Sequence, residues 1–211
     1  MIGWEKAKFF IIRHHTGLMV WGLALALAST PLIMTNPYNL GILNLIGLYV
    51  IVVLGLNLFI GFAGQISLGH AAFFGLGAYG SAILTATCGF PAWPAMVLTA
   101  IAVALAALVL GIPTLRLSGH YLAMATLGFN YVVDSIFVQW DAVTGGPSGL
   151  SGVPPLSIGG LTFDSDLKFH YLVWTFALVA LTLCLNLVRS GVGRGLAALG
   201  ADEVAAAALG V

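Results

Sequence analysis

Residues 61–80 read GFAGQISLGHAAFFGLGAYG, inside a run from His14 to Leu115 that holds no Asp, Glu, Lys or Arg. Six glycines (61, 64, 69, 75, 77 and 80) share the window with Gln65, Ser67 and His70. A segment meant only to sit in lipid needs none of these. Glycine lets backbone bend or approach another helix closely. Polar groups and broken helix at membrane depth survive only against protein or a water-filled path. The window predicts a bent or discontinuous helix in a membrane protein whose interior passes something.

Composition supports this. Of 211 residues, 60% are hydrophobic and 7% are charged, against roughly 25% charged in an ordinary soluble domain. An all-α, polytopic helical membrane protein is the economical reading. An outer-membrane barrel would show short segments of alternating polarity, and these runs are continuously apolar. Net charge is zero, which gives nucleic-acid binding no support.

Spans of about 20 apolar residues are needed. Six are expected, at about 17–35, 40–61, 66–87, 93–115, 119–140 and 169–188. Asn36-Pro37, Gly89-Phe90-Pro91 and Trp93-Pro94 separate successive spans. Residues 141–168 form one long hydrophilic loop, rich in glycine and proline. The basic start and Ala26-Leu27-Ala28 imitate a secretory leader. Apolar sequence continues to Met34, so a span is expected there instead.

Orientation follows Lys and Arg. With the N-terminus cytoplasmic and six crossings, Lys6, Lys8, Arg13, Arg116, Arg189 and Arg194 all fall inside; only Lys168 falls outside. Loop 141–168 is then external. Cys88 and Cys184 fall near opposite faces, so no disulfide between them is expected.

Several positions are candidates for a translocation path: Asn57, Gln65, Ser67 and His70 around the break, and Thr126, Asn130 and Asp134 on the fifth span. The last three are four residues apart and form one stripe on a helix. A stripe ending in an ionisable group is costly against lipid and should face the bundle interior. Simple helix packing competes with the path reading at each site. Ala71, Gly75, Ala78 and Ala82 would form a small-residue face for a neighbouring helix. No metal site is expected, because His70 has no other ligand nearby in sequence. TGGPSGLSGVP (144–154) suits a partner-binding loop or plain loop composition alike.

The tail 189–211 leaves the membrane at Arg189. Asp202 and Glu203 open an alanine-rich helix, where acidic residues suit the positive end of the dipole. Such a helix can lie in a groove of another protein. No phosphate-binding GxxxxGK[ST] loop and no nucleophile elbow occur, so catalysis within this chain is not expected.

Four segments, GLNLFIGFAGQISLGHAAFFGLGAYGSAIL (55–84), PTLRLSGHYLAMATLGF (113–129), WDAVTGGPSGLSGVP (140–154) and GRGLAALGADEVAAAALGV (193–211), together resemble the permeases of branched-chain amino acid ABC transporters, in particular the M-type subunit of the leucine/isoleucine/valine system. The resemblance implies a multi-pass inner-membrane protein and several partners. These are a second permease, two cytoplasmic ATPases and a periplasmic or extracellular solute-binding protein. No cofactor is implied on this chain; ATP would bind the partner ATPases. Residues 1–188 would be the transmembrane domain and 189–211 the cytoplasmic ATPase-coupling segment, using Gly193, Arg194, Asp202, Glu203, Ala205, Ala206 and Gly210. Glu203, Ala205, Ala206 and Gly210 match the family's E-x-A-A-x-x-x-G pattern. Family members continue into further spans, which implies that this chain is C-terminally truncated.

Departures from the family lie on and just before the fifth span. Ser118 stands where Arg is common, Tyr131 where Glu is frequent, and Asp134 where a basic residue is frequent. These leave related permeases for urea or short amides as an alternative, beside a passive small-solute channel and a non-transporting scaffold.

Overall fold

The structure, a computed structural model, describes residues 17, 19–32, 34, 36–114, 117, 119–158, 161–208 and 210. The orientation markers Lys6, Lys8, Arg13 and Arg116, and the departure at Ser118, lie outside the described residues. So do the side chains of Glu203 and Val204.

Helices dominate. They are α1 (Met19–Leu32), α2 (Pro37–Asn57), α3 (His70–Ala86), α4 (Ala92–Thr114), α5 (His120–Gln139), the short α6 (Asp141–Thr144), α7 (Asp166–Arg189), α8 (Gly191–Ala201) and α9 (Glu203–Ala208). A π-helical turn, Leu58–Phe62, extends α2. Pro37–Phe62, α4, α5 and α7 are long and apolar enough to cross a membrane. At 1.5 Å per residue they run ~30 to ~39 Å, against a hydrocarbon core of ~30 Å. Helix α1 is a shorter apolar helix. Helix α3 has 17 residues, at the lower limit for a crossing. The chain is thus a polytopic helical membrane protein. Large apolar side chains such as Leu105, Val109 and Met124 point outward, as lipid-facing positions should.

The chain divides into two compact units. The first comprises residues 1–54 and 165–189. Its described core is polar at one level of the helices. His170 of α7 is only 1% exposed. Its Nδ1 lies 3.0 Å from Asn44 Oδ1 on α2, and Asn44 Nδ2 donates to the Asp166 carbonyl at 3.0 Å. Since the Asn44 amino group is engaged there, it is Oδ1 that faces the His170 ring. His170 Nε2 lies 3.0 Å from Thr30 Oγ1 on α1. Three helices are thereby joined through one ring. Below it, α2 and α7 touch closely. A Cβ placed on Gly47 would lie 2.6 Å from Val173 Cγ1 and 3.3 Å from the Trp174 ring.

The second unit comprises residues 55–164 and 190–211. Here α3 and α4 form a helical hairpin, and α5 packs on α3. Gly80 sets the hairpin: a Cβ there would lie 2.6 Å from Thr99 Cγ2. Gly75 faces α5, where a Cβ would lie 2.7 Å from the Phe137 ring. Of the face expected from Ala71, Gly75, Ala78 and Ala82, Gly75 does meet a neighbouring helix. Gly75 and Gly80 serve two different neighbours, while Ala71 and Ala78 are exposed. A helix caught between two partners spreads its small residues over two faces.

The long loop is folded rather than open. Thr144 is 2% exposed. Its hydroxyl lies 2.7 Å from the Phe137 carbonyl and accepts from Gly146 N at 3.2 Å. Gly145 and Gly146 both take positive φ, 77° and 58°, which explains the paired glycines. A short antiparallel hairpin, β1 (Ser157–Ile158) with β2 (Leu161–Thr162), follows. Trp93 Nε1 ties it to α4 by donating to the Ser157 carbonyl at 2.8 Å.

Replacing His170 by Leu should orphan Asn44 and lower stability by about 1–2 kcal/mol. A drop in the unfolding midpoint of the detergent-solubilised protein checks this; an unchanged midpoint would contradict it.

Candidate functional site

The second span does not run straight into the third. In the π turn the Ala63 amide donates to the Leu58 carbonyl at 3.1 Å, and the Gln65 amide reaches back to Phe59 O at 3.1 Å. Gly64 then takes φ +66°, which a side chain would strain. Residues 63–69 are irregular, and α3 starts only at His70. The span expected at 66–87 is corrected to that extent. Ile66 and Leu68 are apolar, so hydropathy carries them into the span, while the glycines release the backbone.

The break is held by α5. Leu68 N donates to Thr126 Oγ1 at 3.0 Å. The same hydroxyl donates into its own helix, with Leu122 O at 2.9 Å and Ala123 O at 3.0 Å. Gly69 lies so close that a Cβ would sit 2.9 Å from the Thr126 carbonyl oxygen. Thr126 is thus a strut as well as a wall.

Beside the break is a cavity of about 730 Å³. The break and α3 contribute Phe59, Gln65, Ser67, His70 and Phe73; α4 contributes small residues including Ala100, Ala104, Ala107 and Gly111; α5 contributes Leu122, Thr126 and Phe129. The α3–α4 hairpin is antiparallel with Gly80 at Thr99, so Gln65 to His70 lie level with the last turns of α4. Polar groups therefore gather toward one end of an otherwise apolar chamber. The Phe59 ring meets His70 edge-on, with centroids 6.5 Å apart.

The candidates divide accordingly. Gln65, Ser67, His70 and Thr126 come together on one cavity. Asn57 does not line it; its side chain lies over Gly61 in the π turn. Asn130 is half-buried and Asp134 is exposed, and neither lines the cavity. Among the described residues, no three His, Cys, Asp or Glu side chains converge as a metal site would require.

In the tail, Ser190 caps α8 by accepting from Gly193 N at 3.4 Å, and Gly193 is buried. Asp202 separates α8 from α9 and caps the latter: its Oδ1 accepts from Ala205 N at 3.0 Å. That gives the acidic residue a local role. Ala206 is 2% exposed, and Arg194 and Ala205 face outward. Gly210 takes φ +80° just after α9, as a glycine ending a helix does.

One contact was not foreseen from the sequence. Helix α8 packs on the π turn, with Gly200 against Gly64. A Cβ on Gly200 would lie 2.5 Å from Phe62 O and 3.2 Å from Gly64 N. A Cβ on Gly64 would lie 3.0 Å from Gly200 Cα. The two glycines are 136 positions apart, and nothing in their local sequence pairs them.

A family model described as "Branched-chain amino acid transport system / permease component" matches residues 38–211. The chain is 32% identical, over 212 aligned residues, to the high-affinity branched-chain amino acid transport system permease protein LivM of Escherichia coli (strain K12); that match covers 90% of this chain and 49% of the relative. It is 34% identical over 187 residues to LivM of Salmonella typhimurium (strain LT2), covering 78% of this chain and 44% of the relative. The chain spans about half the length of the curated relatives it matches. No solved structure matches it.

Replacing Thr126 by Val leaves Leu68 N without its acceptor, at a cost of about 1–3 kcal/mol. Hydrogen exchange at Leu68 should quicken, and Thr126→Ser should restore slow exchange. Equal exchange in the Val variant and the wild type would refute the strut.

Proposed function

Because the chain belongs to the branched-chain amino acid transport system permease family, we propose that it is the permease subunit of an ABC importer, moving branched-chain amino acids across the inner membrane by ATP-driven alternating access. The observation that carries this reading is the family match over residues 38–211. It takes in the break, the cavity and the tail together. In this reading a second permease completes the path, two cytoplasmic ATPases hydrolyse ATP, and an external solute-binding protein delivers the solute. The N-terminus is cytoplasmic, as the distribution of Lys and Arg favours. Residues 189–211 face the ATPases, with Gly193, Arg194, Asp202, Glu203, Ala205, Ala206 and Gly210 in the coupling segment.

The cavity suits such a solute. An aliphatic side chain fits among Phe73, Ala100, Ala104 and Ala107. The zwitterionic end needs partners for both of its charges. The N-terminus of α3, opening at His70 beside Ser67, offers a positive dipole end to the carboxylate. Backbone carbonyls at the break and Gln65 Oε1 are acceptors for the ammonium group. Asn57, Asn130 and Asp134 belong to other stretches of the path.

The test is uptake of labelled leucine by the reconstituted complex. Gln65→Ala, His70→Ala and Asn130→Ala should each lower uptake about tenfold, a loss of ~1.4 kcal/mol, with assembly intact. Normal uptake in all three would remove these residues from the path. Uptake that persists without ATP would instead make the chain a passive channel.

A further inference from the structure

We propose that the backbone contact between Gly200 and the Phe62–Gly64 turn is the joint through which the tail moves the broken helix, and with it the cavity wall. This deepens the reading of residues 189–211 as a coupling segment and rests on it.

Three observations carry the proposal. First, the contact is backbone against backbone. The atoms nearest a Cβ on Gly200 are Phe62 O, Ala63 C and Gly64 N, at 2.5, 3.2 and 3.2 Å. No flexible side chain lies between the two segments to absorb a displacement. Second, the segment it touches is where α2 loses its regular bonding. The ladder ends at the Ala63 amide, and Gly64 turns the chain at φ +66°. A push on a regular helix moves the whole rod. A push on a π turn followed by irregular chain can be taken up locally, by rotation about a few backbone bonds. Third, the far end of the break belongs to the cavity. Gln65 and Ser67 line it directly, and Leu68 N is bonded to Thr126, another wall residue. A displacement entering at Gly200 therefore reaches the cavity within a few residues.

Helix α8 has its own N-terminal cap in Ser190, and Gly193 in its first turn is buried. Alanine at position 200 would serve packing as well, were the backbones a methyl group further apart. Gly64 and Gly200 are positioning residues: they touch no solute.

The experiment uses the complete complex in proteoliposomes, with ATP hydrolysis and labelled leucine uptake measured together. Gly200→Val should still hydrolyse ATP, with uptake per ATP at least about tenfold lower. Gly200→Ala should fall between it and wild type. Val97→Ala, at an outward-facing position of α4 that does not line the cavity, should behave as wild type. A Gly200→Val complex with wild-type uptake per ATP overturns the proposal. A second measurement needs no variant. In the wild-type complex, hydrogen exchange across 63–69 should change when a non-hydrolysable ATP analogue binds. Unchanged exchange there overturns the proposal even if Gly200→Val fails to assemble. If the wild-type complex shows no ATP-driven uptake, it is the importer reading itself that falls.

Discussion

A helix interrupted between two apolar spans must find partners for the backbone groups that the interruption releases. Nothing in lipid will supply them. The second unit is arranged around that requirement. Leu68 N goes to the Thr126 hydroxyl, Gln65 N returns to Phe59 O, and Gly64 and Gly69 let the irregular chain lie against neighbouring backbone. Helix α5 is brought close because Thr126 must reach the break. Helix α8 is brought close because two glycines allow it. The cavity is what remains where α4 presents Ala100, Ala104, Ala107 and Gly111, which do not fill the space beside them.

Much of this was legible in residues 61–80. Clustered glycines with Gln65, Ser67 and His70 pointed to broken helix, and the absence of charge from His14 to Leu115 pointed to membrane. The extent of the break was not legible. Ile66 and Leu68 are as apolar as their neighbours, so counting hydrophobic residues assigns them to a span. The stripe Thr126–Asn130–Asp134 was legible as spacing, but only Thr126 reaches the cavity. A helix wedged beside another presents one turn of such a stripe to its neighbour, and the rest follows the helix away.

Two other features escaped the sequence for one physical reason. His170 and Asn44 lie 126 positions apart and Gly64 and Gly200 136 apart, and each pair means something only through the path of the chain. A signal for the first existed: a histidine and an asparagine inside otherwise apolar spans are costly unless they meet. The second left none. A glycine near the end of an alanine-rich helix reads as composition until another backbone is found against it.

The two units are held by contacts of different mechanical character. In the first, side-chain hydrogen bonds of ~0.6 kcal/mol on average within membranes join α1, α2 and α7 through His170. Such bonds resist pulling and pushing alike, which suits a fixed frame. In the second, the Gly64–Gly200 contact is steric, and a steric contact can push but cannot pull. Where the contact pushes, as proposed, the Leu68–Thr126 bond on the far side of the break is placed to oppose it. No charged residue stands anywhere between Phe59 and Gly69, so this arrangement rests on backbone contact and hydrogen bonding alone.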